Sequence, residues 1–138
     1  MFQATNEDVL RLGDDELRDL IGLLCESVFA KYCFSTASIM YGGDQDAADG
    51  GVDVYVNSNF DIPEGDYIPR GKTIFQVKVP DMAPADIKKE MLKNGLLKDA
   101  IKKVGIENGA YIIVSSKSNL SHKMYEKRLS AMKECISE

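Results

Sequence analysis

Polar side chains that could do chemistry lie in two short segments that otherwise have the character of apolar strands. Asp53 lies in the segment 51–56, and Gln76 and Lys78 lie in the segment 73–79. Because side chains two residues apart on a strand share a face, Gln76 and Lys78 are predicted to project together, and Asp53 to project away from its neighbouring valines. A buried charge costs free energy unless it has a partner. A divalent metal ion and a phosphate group are partners that would suit an acid and a lysine.

Three helices are predicted around these segments. An apolar stripe with a 3.6-residue period predicts the first helix over residues 14–32. A second helix is predicted over 85–103 with a break near Asn94-Gly95, and a third over 121–136. The stripe of the first helix consists of Leu17, Leu20, Ile21, Leu24 and Val28.

Two further strands and two connections complete the predicted order of helix, strands, helix, strand, helix. A short strand is predicted over 34–40. The nearly all-apolar run 111–114 predicts a strand that is buried on both faces of a sheet. Residues 42–51, rich in glycine and aspartate, predict a turn, and residues 57–71 predict an irregular connection.

Composition limits the class of protein. The 138 residues suffice for one domain with a core, and 44% hydrophobic with 28% charged residues is typical of a soluble globular protein. The chain has no apolar run of membrane-spanning length and no signal peptide, and we expect a cytoplasmic protein. Three cysteines without Cys-x-x-Cys spacing predict reduced thiols, with Cys25 and Cys33 acting as small buried hydrophobic residues rather than metal ligands.

The net charge of −5 argues against a protein that coats DNA without regard to sequence, because such proteins are usually basic. It does not exclude an enzyme that acts on DNA through a few local lysines and arginines. Lysines are concentrated in the segments 88–103 and 117–128. Each concentration has two interpretations, a track for phosphates or a solvated helix face.

The spacing of the polar residues resembles a known nuclease pattern. Gly50-Gly51-Val52-Asp53 resembles the "GGxD" strand of Mrr-like restriction endonucleases, and Gln76-Val77-Lys78 resembles their "QxK" strand. These enzymes belong to the PD-(D/E)xK nuclease superfamily. The resemblance extends from the first helix to the strand at 111–114. It implies an α/β fold with a restriction-endonuclease-like αβββαβ core, a central mixed sheet flanked by helices, in a single domain over residues 1–138.

A narrower resemblance concerns the whole protein. The segments 42–46, 68–70 and 75–78 together are similar to a nuclease-like domain at the N-terminus of large bacterial NTPase proteins, some of which act in antiviral defence. This resemblance implies that NTPase or sensor domains are covalently linked to the domain in a longer chain. It also implies a homo-oligomer, because cutting both strands of a duplex commonly takes two nuclease domains.

The superfamily resemblance implies a metal-dependent endonuclease that hydrolyses DNA with Mg²⁺ or Mn²⁺. Asp53 and Gln76 would hold the ion, which acidifies water and offsets the charge that develops on the phosphate, and Lys78 would be the catalytic lysine. Many relatives carry an acid where this chain has Gln76, so the remaining acids should matter more. The alternative is an inactive module with the nuclease fold that serves DNA binding or oligomerisation.

The resemblance also implies a glutamate from the first helix. Glu26 and Glu16 are both candidates, and they lie about 15 Å apart along a helix axis, so only one can reach the site. The apolar pattern favours Glu16, which borders the stripe, whereas the resemblance favours Glu26, which we take as the candidate metal ligand. Arg70, just before the strand of Gln76, is a candidate contact to DNA phosphate, with a surface salt bridge as the alternative.

Overall fold

The computed structural model describes residues 3–41, 52–63, 67–117 and 120–137, and the turn predicted over 42–51 lies outside them. Within these ranges the chain forms helices on both sides of a sheet. The helices are α1 (Asn6–Leu10), α2 (Asp14–Lys31), α3 (Pro84–Met91), α4 (Asp99–Ile106) and α5 (His122–Ile136). The strands are β1 (Ile39–Tyr41), β2 (Val54–Asn57), β3 (Lys72–Lys78), β4 (Leu92–Lys93), β5 (Leu96–Leu97) and β6 (Ala110–Ser115).

The main sheet is mixed and has the strand order β1-β2-β3-β6. The first three strands are antiparallel neighbours, and β6 lies parallel to β3. A parallel neighbour requires a crossover connection, which α3 and α4 provide together with the small β4–β5 hairpin. The prediction of an α/β protein with a mixed sheet flanked by helices is confirmed at this level.

Each face of the sheet has its own core. Phe75 packs with Cys25, Val28 and Phe29 of α2, whereas Ile74 packs with residues of α3, α4 and α5. Since side chains alternate along β3, Gln76 and Lys78 leave the strand on the same face as Ile74. The two polar residues therefore point towards α3 rather than towards α2.

The first helix matches its predicted bounds, and its predicted stripe is confirmed in part. Leu17 and Val28 are buried as expected, but Leu24 is 40% exposed, and Cys25 and Phe29 are the fully buried residues of this face. Ile21 also packs against this core, so the buried face of the helix contains most of the predicted stripe together with Cys25 and Phe29. Adjacent apolar columns satisfy the 3.6-residue period equally well, so the pattern alone included Leu24 and left out these two residues.

Helix α1 was not predicted from the apolar pattern, because none of its residues is buried. It is stabilised locally by a capping box. The hydroxyl of Thr5 accepts a hydrogen bond from the backbone N–H of Asp8 at 3.3 Å, and the carboxylate of Asp8 accepts one from the N–H of Thr5 at 2.8 Å.

Strand β1 begins at Ile39, later than predicted, because a 3₁₀ turn over Thr36–Ser38, capped by the Ser35 hydroxyl, precedes it. Strand β2 begins at Val54, so Asp53 stands just before the strand rather than within it. The irregular connection predicted over 57–71 is confirmed in its described part up to the start of β3.

The apolar run 111–114 packs on both faces of the sheet as predicted, but it is only half-buried: Tyr111 and Ile113 pack against one core, and Ile112 and Val114 against the other. In the described part of the chain β6 pairs only with β3, and all six of its residues are half-buried. An all-apolar strand is typical of the centre of a parallel sheet, but this strand lies at the edge.

The break predicted near Asn94-Gly95 is a complete β-hairpin. Leu92 pairs with Leu97 and Lys93 with Leu96 across a two-residue turn. Asn94 and Gly95 have φ angles of +55° and +77°, the left-handed conformation that such turns require at both positions. The single helix predicted over 85–103 is therefore two helices separated by this hairpin.

All three cysteines are free thiols, but their environments differ. Cys25 is buried as predicted, whereas Cys33 is exposed, so its interpretation as a buried hydrophobic residue is wrong. Burial, followed by the negative charge of Glu26, raises the pKa of Cys25 to about 12, which keeps this thiol protonated and unreactive. Among the described residues, no helix combines the length and apolar character needed to cross a membrane.

Gly22 is required where α2 meets β1. A Cβ atom at this position would lie 2.4 Å from ring carbons of Tyr41. We expect Gly22→Ala to lower the free energy of unfolding by about 2 kcal/mol, because the overpacked ring must move. Gly105→Ala is the matched control: its Cβ would meet no atom within 4 Å, and removing a helix glycine should stabilise by about 0.5–1 kcal/mol. Urea unfolding of both variants measures the difference, and equal effects would contradict the packing argument.

Candidate functional site

Asp53 is tied to β3 by both its backbone and its side chain. Its N–H donates to the carbonyl of Phe75 at 2.9 Å, and its Oδ2 accepts a hydrogen bond from the N–H of Val77 at 2.8 Å. Burial raises the pKa of Asp53, while the Val77 hydrogen bond and the charge of Lys78 act in the opposite direction. The structure thus brings Asp53 to the same end of β3 as Gln76 and Lys78.

Gln76 is a buried amide held in one orientation. Its side chain is 2% exposed, its Nε2 donates to Oε2 of Glu90, and its Oε1 accepts from the hydroxyl of Tyr111. An ionised carboxylate only accepts hydrogen bonds, so the NH₂ group of Gln76 must face Glu90. The amide oxygen consequently faces Tyr111 on β6.

Glu90 of α3 is the centre of the cluster. Its Oε1 lies 2.8 Å from Nζ of Lys78, and its Oε2 lies 3.6 Å from Nζ of Lys98. Burial alone would raise the pKa of Glu90, but hydrogen bonds from Lys78 and Gln76, with the charges of Lys78 and Lys98, lower it overall. The hydrogen bond to Glu90 in turn raises the pKa of Lys78, so this lysine is an ammonium group at neutral pH.

Tyr111 completes the cluster from the edge strand. Burial, and then the charges of Glu90 and Asp53, raise the pKa of its hydroxyl. Tyr111 is therefore a protonated donor to Gln76 at neutral pH.

The start of α2 also reaches this region. Asp14 accepts a hydrogen bond from the N–H of Val79 at 3.0 Å, directly after β3. Its negative charge raises the pKa values of Asp53 and Lys78, and the positive charge of Arg18 lowers that of Asp53. The carboxylate that α2 contributes near β3 is thus Asp14.

The structure brings neither predicted helix glutamate to Asp53. Oε1 of Glu16 accepts a hydrogen bond from the N–H of Gly13 at 3.2 Å and so caps its own helix. Glu26 lies about 18 Å beyond Asp14 along the helix axis. There the pKa of Tyr41, at the end of β1, is raised first by burial and then by the hydrogen bond with Glu26 and its negative charge.

Arg70 is exposed on the connection that precedes β3, with its carbonyl accepting a hydrogen bond from the hydroxyl of Thr73 at 2.7 Å. This position suits either of the alternatives raised from the sequence, a contact to phosphate or a surface salt bridge.

Sequence reasoning missed Glu90, Lys98 and Tyr111. Glu90 follows two lysines in a segment whose charges resemble a solvated helix face. One signal was present: Glu90 lies three residues after Ile87 and next to Met91, both of which are buried, so it borders the buried face of α3. Nothing local indicates that β3 lies opposite that face.

The donor types suit a hard divalent cation, since carboxylate and amide oxygens are the ligands that Mg²⁺ prefers. Across 3–41, 52–63, 67–117 and 120–137, no group of three or more His, Cys, Asp or Glu side chains is arranged to hold a metal ion. An ion held by Asp53, Glu90 and the Gln76 oxygen, with water completing its shell, would require the amide of Gln76 to turn its oxygen from Tyr111 towards Glu90. Many relatives have an acid at the position of Gln76. In this chain Glu90 would supply that second carboxylate, in addition to Asp53.

Comparison of the chain with protein-family models, with curated proteins and with solved structures finds no match.

We expect Glu90→Gln to lower the free energy of unfolding at pH 7 by about 1–3 kcal/mol, because the change removes a charge shared by two ammonium groups. The pKa of Glu90 is lower in the folded protein than its ordinary value of 4.5, so its stabilisation is complete above that value and is lost as the pH falls through the folded pKa. Urea unfolding from pH 7 downwards should show the difference between wild type and variant shrinking below about pH 4.5.

Glu134→Gln is the control for this experiment, since Glu134 pairs with Lys88 at an exposed site. We expect that change to cost less than about 1 kcal/mol. A difference between wild type and Glu90→Gln that stays constant with pH would contradict the assigned pairing.

A second prediction concerns the donor to Gln76. Tyr111→Phe would leave the buried amide oxygen without the hydroxyl that it accepts from, and we expect a loss of about 1–3 kcal/mol in the free energy of unfolding. Tyr125→Phe, at a side chain that is 52% exposed, should change stability by less than about 0.5 kcal/mol. Thermal unfolding of both variants tests the assignment, which fails if the two behave alike.

Proposed function

We propose that this chain is a metal-dependent endonuclease domain that hydrolyses DNA phosphodiester bonds. The observation that carries the proposal is the meeting of Asp53, Gln76, Lys78 and Glu90 at one end of β3. Two carboxylates, an amide oxygen and an ammonium group are the types of side chain that this reaction uses. The resemblance of the Asp53 and Gln76-Val77-Lys78 segments to Mrr-like nucleases supports the same assignment.

Asp53, Glu90 and the Gln76 oxygen would hold Mg²⁺ or Mn²⁺ once the amide of Gln76 turns its oxygen from Tyr111 towards Glu90. The bound ion supplies a water of lowered pKa and offsets negative charge on the phosphoryl oxygens. Glu90 takes the place that we expected a glutamate of the first helix to fill. It arrives from α3 rather than α2, on the same face of β3 as Gln76 and Lys78.

Lys78 would bind the scissile phosphate and stabilise the charge that develops on it. Because its pKa is raised by the hydrogen bond to Glu90, it remains an ammonium group that donates hydrogen bonds and does not accept a proton. Its side chain is 36% exposed, so a substrate can approach it from solvent. Arg70, exposed before β3, is a second proposed contact to phosphate.

The setting of the domain follows from the resemblances alone. We propose an effector domain of anti-phage defence, acting in the cytoplasm, oligomerising with its own copies, and joined to NTPase or sensor domains in a longer chain. The fold itself we propose to be the restriction-endonuclease-like αβββαβ core. The order α2, β1, β2, β3, α3, β6 supports this comparison.

One observation favours the second candidate, a nuclease-fold module without turnover. Glu90 is already neutralised by Lys78 and Lys98 and hydrogen-bonded by Gln76. The cluster is therefore satisfied without a metal ion, as a purely structural ion-pair network would be.

Plasmid cleavage with Mg²⁺ or Mn²⁺ distinguishes the two candidates. We expect Lys78→Ala to reduce the cleavage rate about 10²-fold or more, because a donor aimed at the developing charge is lost. Lys133→Ala, an exposed lysine in the last turn of α5, should cleave like the wild type. Equal activity of Lys78→Ala and the wild type would exclude the assignment. Absence of metal binding by calorimetry, with DNA binding or self-association retained, would establish the second candidate instead.

A further inference from the structure

The segment 88–103 is strongly basic in an acidic chain. It contains six lysines and two acids, a net charge of +4, whereas the whole chain carries −5. A local excess of positive charge attracts polyanions, and the phosphate backbone of DNA is among the most densely charged of them. The sequence left open whether these lysines form a phosphate track or a solvated helix face.

The lysines of this segment differ in what they contact. Lys88 pairs with Glu134, and Lys98 pairs with Glu90. Lys93 and Lys102 are exposed, and no carboxylate in the described part of the chain forms an ion pair with either. Their charges are therefore available to an external anion.

The turn of the β4–β5 hairpin, residues 93–96, is exposed. Leu92 and Leu97 pack against the core at its base, whereas Leu96 at its end is 65% exposed. No heavy atom lies within 4 Å of where a Cβ of Gly95 would be. A narrow two-stranded ribbon that carries an exposed lysine beside an exposed leucine has the form of elements that enter a DNA groove.

Lys98 connects this surface to the candidate site. Its side chain is 19% exposed, and its Nζ lies 3.6 Å from the carboxylate that also holds Lys78. Lys102 lies four residues further along, one turn into α4 and on the same side of the helix. Lysines therefore stand on β3, at the N-cap of α4 and one turn into α4, and the hairpin directly precedes that cap in the chain.

We propose that the β4–β5 hairpin and α4 bind the phosphate backbone of duplex DNA and lead it to Lys78. Lys93 and Lys102 contact phosphates on either side of Lys98, and Leu96 enters the adjacent groove. This inference takes its substrate from the proposed function, but it concerns binding and is tested without cleavage.

The test is equilibrium binding of a fluorescently labelled DNA duplex at several salt concentrations, in EDTA so that no hydrolysis occurs. For the double variant Lys93→Ala, Lys102→Ala we expect about tenfold weaker binding. We also expect the slope of log affinity against log salt to fall by about 2, because each lost phosphate contact removes roughly one unit.

The matched control is the double variant Lys123→Ala, Lys127→Ala, which removes the same charge from exposed positions of α5. We expect its salt slope to equal that of the wild type. Equal losses in the two double variants, no loss in the first, or no binding by the wild type would overturn the proposed surface, and circular dichroism verifies that both variants fold.

This test separates the two proposals. Binding that depends on Lys93 and Lys102, with no cleavage in Mg²⁺, would reject the endonuclease and retain the surface. Cleavage that is the same in wild type and in Lys93→Ala, Lys102→Ala, with binding unchanged, would reject the surface and retain the endonuclease.

Discussion

The cluster depends on one carboxylate that must neutralise two lysines in a partly buried site. Glu90 lies between Lys78 and Lys98, whose side chains are 36% and 19% exposed, and it also accepts from Gln76. Two ammonium groups brought this close would repel each other without a shared anion. Because Glu90 pairs with both lysines, it joins β3, α3 and the beginning of α4 in a single network. The crossover between the two parallel strands is held to the sheet at this point.

The pairing of Glu90 with two lysines also affects how a metal ion and a substrate would bind. A cation that takes Asp53 and Glu90 must compete with ammonium groups for Glu90. A phosphate that arrives with the cation offers Lys78 and Lys98 another anion, so metal and phosphate together exchange partners with little change in total charge. In the proposed enzyme, metal binding and substrate binding are therefore coupled. In the alternative, a module without turnover, Lys78 and Lys98 remain paired with Glu90.

The acids and the lysines of this region are distributed differently along the sequence. The acids around the site, Asp14, Asp53 and Glu90, come from three different parts of the sequence. Six lysines, by contrast, lie in the single segment 88–103, which contains the hairpin and the start of α4. In the proposed enzyme, the acids beside β3 would bind the cation, and the exposed lysines of segment 88–103 would bind the nucleic-acid backbone.

Several features could be predicted from the sequence because they depend on neighbours along the chain. The bounds of α2, β3 and α5 follow from local periodicity, and the shared face of Gln76 and Lys78 follows from the alternation of a strand. The left-handed turn at Asn94-Gly95 follows from the two residue types, although its consequence, a hairpin between two helices, was not recognised.

Features that depend on distant parts of the chain could not be predicted. The sequence by itself determined that an amide and a lysine would share one face of a strand, since the repeat of a strand is a property of a few consecutive residues. Only the tertiary structure decided that Glu90 rather than Glu16 or Glu26 would meet them, that Leu24 would face solvent, and that β6 would lie at an edge. Those outcomes depend on which face of a helix packs on the sheet and in which order strands pair, and both are settled by the free energy of the whole core.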